Sequence, residues 1–359
     1  MTVLNIAHQR LASQHVVQPA FARPGEVVAW LGAVQAQDYL GALWAVGLRT
    51  QCATEQTIEQ AIADKAIVRT WPMRGTIHFV APADVRWMLE LLTPRVIARS
   101  ASRLAGLGLD DATISRSADV LAKALQGGKQ IPRTEMYDLL EQANIATDGQ
   151  RGLHILGRLA HERLLCFGAR AGKQPTFALL DEWAPSAKSL PRDEALAALA
   201  KRYFTGHGPA TLQDFMWWSG LTARDARAGI EAAAPQLGHE VIGSQEYYFA
   251  PDVPNAHQNA CNAFLLPPFD EYLVGYKDRA AAIDATEMAR VNPGGNGMFS
   301  PIMVIGGRVA GTWKRTFKRD TVEIAFSPFM PLNDAQRHAF AEVAQRYGEF
   351  VGKTAIVAG

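Results

Sequence analysis

Cysteine is scarce in this chain, and its three copies, Cys52, Cys166 and Cys261, stand far apart with no CxxC pair. An odd, dispersed set supplies neither a disulfide framework nor a zinc site. It suits a reducing cytoplasm. Long apolar runs are missing too. The opening MTVLNIAHQRLASQ carries polar residues at helical spacing where a signal peptide would have an apolar core. No stretch approaches the roughly 20 apolar residues that span a bilayer, so no membrane partner is expected. Excess charge of one sign is also lacking, since 36 Lys and Arg face 35 Asp and Glu for a net +1. Global charge therefore points to no anionic partner; only local clusters can.

Familiar catalytic signatures are absent as well. His161-Glu162-Arg163 is the nearest approach to HExxH and lacks the second histidine. There is no P-loop, and the glycine-rich NPGGNG at 292–297 follows no clear strand and opens no helix, which makes it a loop. No GxSxG elbow occurs. The nine histidines are scattered, and His154 and His161, on one helical face, read as ordinary surface or core residues. No metal and no nucleotide cofactor is expected.

What the chain does have is a hydrophobic content of 48%, a charged content of 20% and 359 residues, enough for several folded modules. Residues 3–15 read as a helix with Leu4, Ile6 and Leu11 inward, and 26–34 as a second with Val27, Leu31 and Val34 on one face. Residues 54–65 read as a third, with Thr54 as N-cap and Ile58 and Ile62 inward. IVRTWPMRGTIHFV, rich in β-branched and aromatic residues, reads as two short strands around a turn. Helices followed by a small hairpin is the layout of a winged helix.

The layout recurs. Residues 113–126, a short helix capped by Thr134, a longer helix through His154 and His161, and strands at 165–167 and 176–180 make a second copy. Thr211 and Thr222 are placed to start helices in a third, where GPATLQDFMWWSGL has helix-turn-helix turn chemistry. Beyond it the chain turns strand-like. HEVIGSQEYYFAP, NAFLLPPFDEYLVGY and SPIMVIGGRVAGTWKRTFKRDTVEIAF predict a small antiparallel barrel or sheet, with a hairpin at Gly306-Gly307 and a closing helix capped by Asn333. The expected architecture is α+β. Three winged-helix modules span 1–108, 109–188 and 189–238, and a C-terminal antiparallel β-barrel-like domain spans 239–359.

Two groups of cations stand out. Arg95, Arg99 and Arg103, four apart, form a helical stripe about 12 Å long. Such a stripe is either a DNA contact or a solvated face. Arg308, Lys314, Arg315, Lys318 and Arg319 lie on a predicted hairpin with Trp313 and Phe317 interleaved, a composition suited to backbone phosphates or a groove. Asp270, Glu271, Lys277, Asp278 and Arg279 crowd among aromatics in PFDEYLVGYKDR, as a site or as a salt-bridged turn.

VQAQDY, RTWPMRGTIHFVAPAD, LLPPFDEYLVGYKDR and GGRVAGTWKR, in this order, resemble the winged-helix DNA glycosylases of the AlkZ/YcaQ family. The likeness runs from about residue 5 to the C-terminus. It implies tandem winged helices in a C-shaped arrangement with a C-terminal β-domain. The implied activity is hydrolysis of the N-glycosidic bond of alkylated purines, including interstrand cross-links. The family's catalytic signature is two polar residues around an apolar one, which Gln35-Ala36-Gln37 matches in its Gln-apolar-Gln version. The YcaQ-type branch ends the motif in Asp, so the substrate range stays open.

Gln35 and Gln37 become the expected catalytic residues, handling a water beside a good leaving group. Two residues apart on a helix point about 200° from each other, whereas on an extended segment they share a side. The preceding helix should therefore end by about Val34, and Asp38 should cap a following helix through Leu48. Arg74, Arg95, Arg99, Arg103, Lys314, Arg315, Lys318 and Arg319 are the expected DNA-binding residues; Asp38, Trp71 and His78 are expected to line the site. His78 equally suits a satisfied core position. A cross-linked base cannot swing out, so the resemblance implies a concave basic channel with the glutamines near its centre. No Lys stands out as a Schiff-base nucleophile, so lyase activity is not expected. The partner is double-stranded DNA, and a monomer that wraps it is favoured over the alternative, a non-catalytic winged-helix regulator.

Overall fold

The structure is a computed structural model that describes residues 3–251 and 263–358, with side chains from residue 6 onward. Cys261 and the side chain of Leu4, expected to face inward, lie outside the described residues. The chain divides into two compact units, one of Met1–Ile58 with Leu196–Gly359 and one of Glu59–Ala195. The module boundaries expected at 108, 188 and 238 do not mark this division. Among the described residues no helix is long and apolar enough to cross a membrane.

The first unit opens with helices Val3–Ser13 and Pro24–Leu31, the strand Ala33–Gln35 and helix Tyr39–Gly47. Ile6, Leu11, Val27 and Leu31 are buried as their spacing predicts, whereas Val34, expected on the same helical face, is buried in the strand beyond the helix. The second helix stops at Leu31 because Gly32 adopts φ +76°, which an L side chain resists. Helices Arg192–His207, Leu212–Ser219 and Ala223–Ala233 come later, the last two capped by Thr211 and Thr222 as expected. The strands Gly238–Ile242 and Gln245–Phe249, expected to join the C-terminal sheet, instead pair with each other as a sheet of two. An isolated bridge ties Tyr248 of that hairpin to Ala210, just ahead of helix Leu212–Ser219.

A five-stranded sheet closes this unit, in the order Thr354–Ala358, Thr321–Pro328, Arg308–Phe317, Ile302–Ile305, Ala263–Leu266. Ile305 pairs with Arg308 across Gly306 and Gly307, both at positive φ, as a type I′ turn demands. The sheet is not wholly antiparallel, contrary to the expectation from sequence. Thr354–Ala358 pairs parallel to Thr321–Pro328. A parallel pair needs a long crossover, and helix Asp334–Phe350, capped by Asn333, supplies it. Indole N–H groups bind the sheet's edge strand to its surroundings: Trp44 Nε1 donates to Leu265 O at 2.7 Å and Trp313 Nε1 to Leu266 O at 2.9 Å. Trp313 is thus a core residue, not an aromatic displayed between hairpin cations.

In the second unit, hairpin Val68–Met73 and Thr76–Val80 is followed by the long helix Val85–Gly106. Helices Asp111–Leu125, Arg133–Gln142 and Arg151–His161 then lead into hairpin Leu165–Phe167 and Thr176–Leu179. One core gathers Leu121, Leu125, Met136, Leu140, Leu156 and Phe177 from these elements. Thr134 does not cap its helix. Ile131 and Pro132 pair with Phe177 and Thr176, so the chain passes directly from strand to helix with Pro132 at the cap.

Candidate active site

The peptide Gln35-Ala36-Gln37-Asp38 joins two helices of the first unit. Gln35 ends the strand, Gln37 stands at a bend, and Asp38 caps helix Tyr39–Gly47 by accepting from Gly41 N at 2.6 Å. The motif is therefore off the helix, as the glutamine spacing requires. Gln35 is 9% exposed, while Gln37 is open to solvent.

What fixes this peptide comes from PFDEY. Glu271 is buried, and its Oε1 accepts from Gln35 N at 3.0 Å. Its Oε2 accepts from Trp218 Nε1 at 3.0 Å and lies 3.1 Å from His207 Nε2. Neighbouring Asp270 receives Arg49 through two parallel bonds of 2.9 Å and also caps Tyr272 N. The remaining Arg49 donors reach Ala45 O, Gln14 O and Gln14 Oε1, so all five N–H groups of this buried guanidinium are used. Arg10 and Asp214 form a further buried pair at 3.5 Å. PFDEY is thus a salt-bridged turn, the second of its two alternatives, and its Glu271 also holds the Gln35 N–H.

The basic hairpin reaches Asp38 through Arg315. Arg315 Nη2 pairs with Asp38 Oδ1 at 3.4 Å, and its guanidinium lies over the Tyr347 ring. Burial pushes the Tyr347 phenol up to about 12, against the pull of Arg315, so the ring stays neutral there. Lys314, Lys318 and Arg319 stay exposed, and Lys318 pairs with Glu323. A hollow of about 780 Å³ in the same unit is lined by Thr211, Arg227, Glu231, Tyr248 and Lys277 and holds none of the motif.

The other expected site residues belong to the second unit. Trp71 is buried and stacks on Phe167 at 4.6 Å within the core, so it serves packing. His78 is fully buried, with Nδ1 3.0 Å from Thr76 O and Nε2 3.4 Å from Arg74 Nη2. That is the satisfied core position its sequence also allowed. Arg74 occupies the hairpin turn at φ +56°. Arg95, Arg99 and Arg103 lie along helix Val85–Gly106, and Arg103 donates to Gln150 Oε1 at 2.9 Å. Among the described residues no three His, Cys, Asp or Glu side chains gather as metal ligands would.

With the geometry in hand, comparison with known proteins places the chain. The family model described as "DNA glycosylase AlkZ-like" matches residues 28–350. The chain belongs to the AlkZ-like DNA glycosylases. It is similar to a Streptomyces sahachiroi protein named "Interstrand DNA cross-link repair glycosylase", 26% identical over 347 residues and 90% of each chain. The solved Streptomyces sahachiroi DNA glycosylase AlkZ matches at a TM-score of 0.81 with 21% identity over 100% of both chains, a likeness of fold. The matched region contains Gln35-Ala36-Gln37, Asp270 and Glu271. Sequence reasoning missed Arg49, His207 and Trp218. PFDEY was visible, but its partners lie 221, 64 and 53 residues away and carry no local pattern.

Proposed function

We propose that this chain is a monofunctional DNA glycosylase hydrolysing the N-glycosidic bond of cationic N-alkylated purines, N7-alkylguanine and N3-alkyladenine, in double-stranded DNA. Gln35 and Gln37 are its catalytic residues. The observation that carries the reading is the placement of Gln35-Ala36-Gln37 off the helix, held at the Gln35 N–H by buried Glu271, with Gln37 open to solvent.

Alkylation leaves the purine with a formal positive charge. When the bond from C1′ to the base nitrogen breaks, its electron pair moves into the ring and the base departs neutral. No general acid is required. The sugar gains oxocarbenium character, a water oxygen bonds to C1′, and the water's proton passes to solvent. Amide carbonyls of Gln35 and Gln37 accept hydrogen bonds from that water and turn their dipoles toward the cationic sugar. The products are an abasic site and the free base. Cross-link unhooking is part of the reading, supported by the name of the Streptomyces sahachiroi relative.

The DNA surface belongs to the same proposal. The helices and hairpins, read as winged helices, supply the duplex contacts, with Lys314, Lys318, Arg319, Arg74, Arg95, Arg99 and Arg103 meeting phosphates. The protein acts as a monomer. The test is release of free 7-methylguanine from a methylated duplex. Gln35→Ala and Gln37→Ala should each slow release by roughly ten- to a hundredfold without weakening duplex binding. Near-normal rates in both variants would end the proposal.

A further inference from the structure

A glutamine pair catalyses only if it is held, and one residue stands behind it. We infer that Glu271 is a positioning residue for base release, acting through the Gln35 backbone; this rests on the catalytic role proposed for Gln35 and Gln37. Glu271 is 1% exposed and sits on the short helix Glu271–Val274, 236 residues from Gln35. One oxygen takes the Gln35 N–H, and the other is fixed by the N–H of Trp218 and the ring of His207, both buried. Trp218 reaches the motif a second time. A Cβ on Gly32 would sit 3.5 Å from its Cη2, so the same indole backs the turn that ends the preceding helix. The peptide is thus gripped at Gly32 and at Gln35 by one cluster.

A carboxylate suits this place for two reasons. Its bond to a backbone N–H is charge-assisted and roughly twice as strong as a neutral one. It also offers two oxygens where two N–H groups converge, that of Gln35 on one and that of Trp218 on the other. A carboxamide of the same shape has one oxygen, so its NH2 must face at least one of those N–H groups. Glu271→Gln therefore keeps volume and packing but loosens the grip on the motif. Misplacing a reacting group by about 1 Å costs on the order of a hundredfold in rate.

The experiment is single-turnover release of 7-methylguanine from a methylated duplex, read against enzyme concentration, on full-length protein with a wild-type circular dichroism spectrum. Glu271→Gln should lower the saturating rate by about a hundredfold and leave the half-saturating concentration within twofold. The decisive reading is a double-mutant cycle with Gln35→Ala. Because Glu271 acts through Gln35, Glu271→Gln should add little once the Gln35 side chain is gone. A residue that only supports the fold would multiply its loss onto that of Gln35→Ala.

A Glu271→Gln enzyme within threefold of wild type, or losses that multiply, would overturn the inference while base release by the wild type keeps the glycosylase reading intact. A wild type that releases no base sinks both. Should Glu271→Gln not fold, Trp218→Phe is read in the same cycle, since it removes one donor from Oε2. It should then show a several-fold, non-multiplying loss, and a multiplying one would overturn the inference.

Discussion

Asp270→Asn should destabilise the protein far more than its near-identical shape suggests. Arg49 and Asp270 have side chains only 1% exposed, and both guanidinium–carboxylate bonds measure 2.9 Å. The substitution leaves Arg49 charged and buried, because guanidinium does not deprotonate. The three other contacts of Arg49, to Ala45 O, Gln14 O and Gln14 Oε1, are with neutral oxygens and cannot replace a formal charge. Removing one partner of a buried pair costs about 3–5 kcal/mol. In a body of roughly 200 residues, each 1 kcal/mol moves Tm by about 2–4 °C. A fall of about 6–20 °C follows, measured by a thermal melt of wild type and variant in one buffer. The loss should persist at high salt, since buried charges are weakly screened. A variant melting within about 2 °C of wild type would refute the argument that this pair anchors PFDEY. A loss that vanished at high salt would do the same.

Two further outcomes concern charge. Lys314→Ala and Arg319→Ala should each flatten the plot of log K against log salt by about 0.9, equally on damaged and undamaged duplex, if each cation meets one phosphate; filter binding or fluorescence anisotropy across a salt series decides. Burial, aided by Arg158, lowers the His161 pKa from 6.5 to about 4. Between those values the unfolded chain binds a proton that the folded chain refuses, so stability present above pH 6.5 is lost as the pH falls toward 4. The loss attributable to His161 is on the order of 3 kcal/mol at 1.36 kcal/mol per pH unit. Urea titrations at pH 7 and 4.5 should show this slope shrinking in His161→Phe.

Much of the local architecture was legible because its causes are local. Thr211, Thr222, Asn333 and Asp38 each cap a helix from within three residues of the N–H they bind. Gly306-Gly307 names its own turn. The expectation that Gln35 and Gln37 share one water placed them off the helix, and the chain leaves the helix at Gly32. Where the reading went astray, a distant partner decided the outcome. No feature of TAIVA announces that it pairs parallel to Thr321–Pro328, because that follows from the crossover helix. HEVIGSQEYYF looked like part of the larger sheet until its two halves were seen to satisfy each other.

The supports of the candidate site were hidden for the same reason, and more completely. Gln35 and Gln37 stood out because the family resemblance rests in part on VQAQDY, which contains them. Arg49 ends an apolar helix, and His207 and Trp218 sit in helices crowded with aromatics, where each reads as one more core residue. Their purpose is defined by convergence on two adjacent acids, Asp270 and Glu271, and convergence is a property of the folded chain. The uncharged amides proposed as catalytic make such convergence necessary. An ionised base would act on its target through a field that falls off gradually, whereas a carbonyl dipole must point at the water it holds. The weaker the catalytic group, the more its rate depends on what fixes it, so buried charge in this protein is spent behind the motif and not within it.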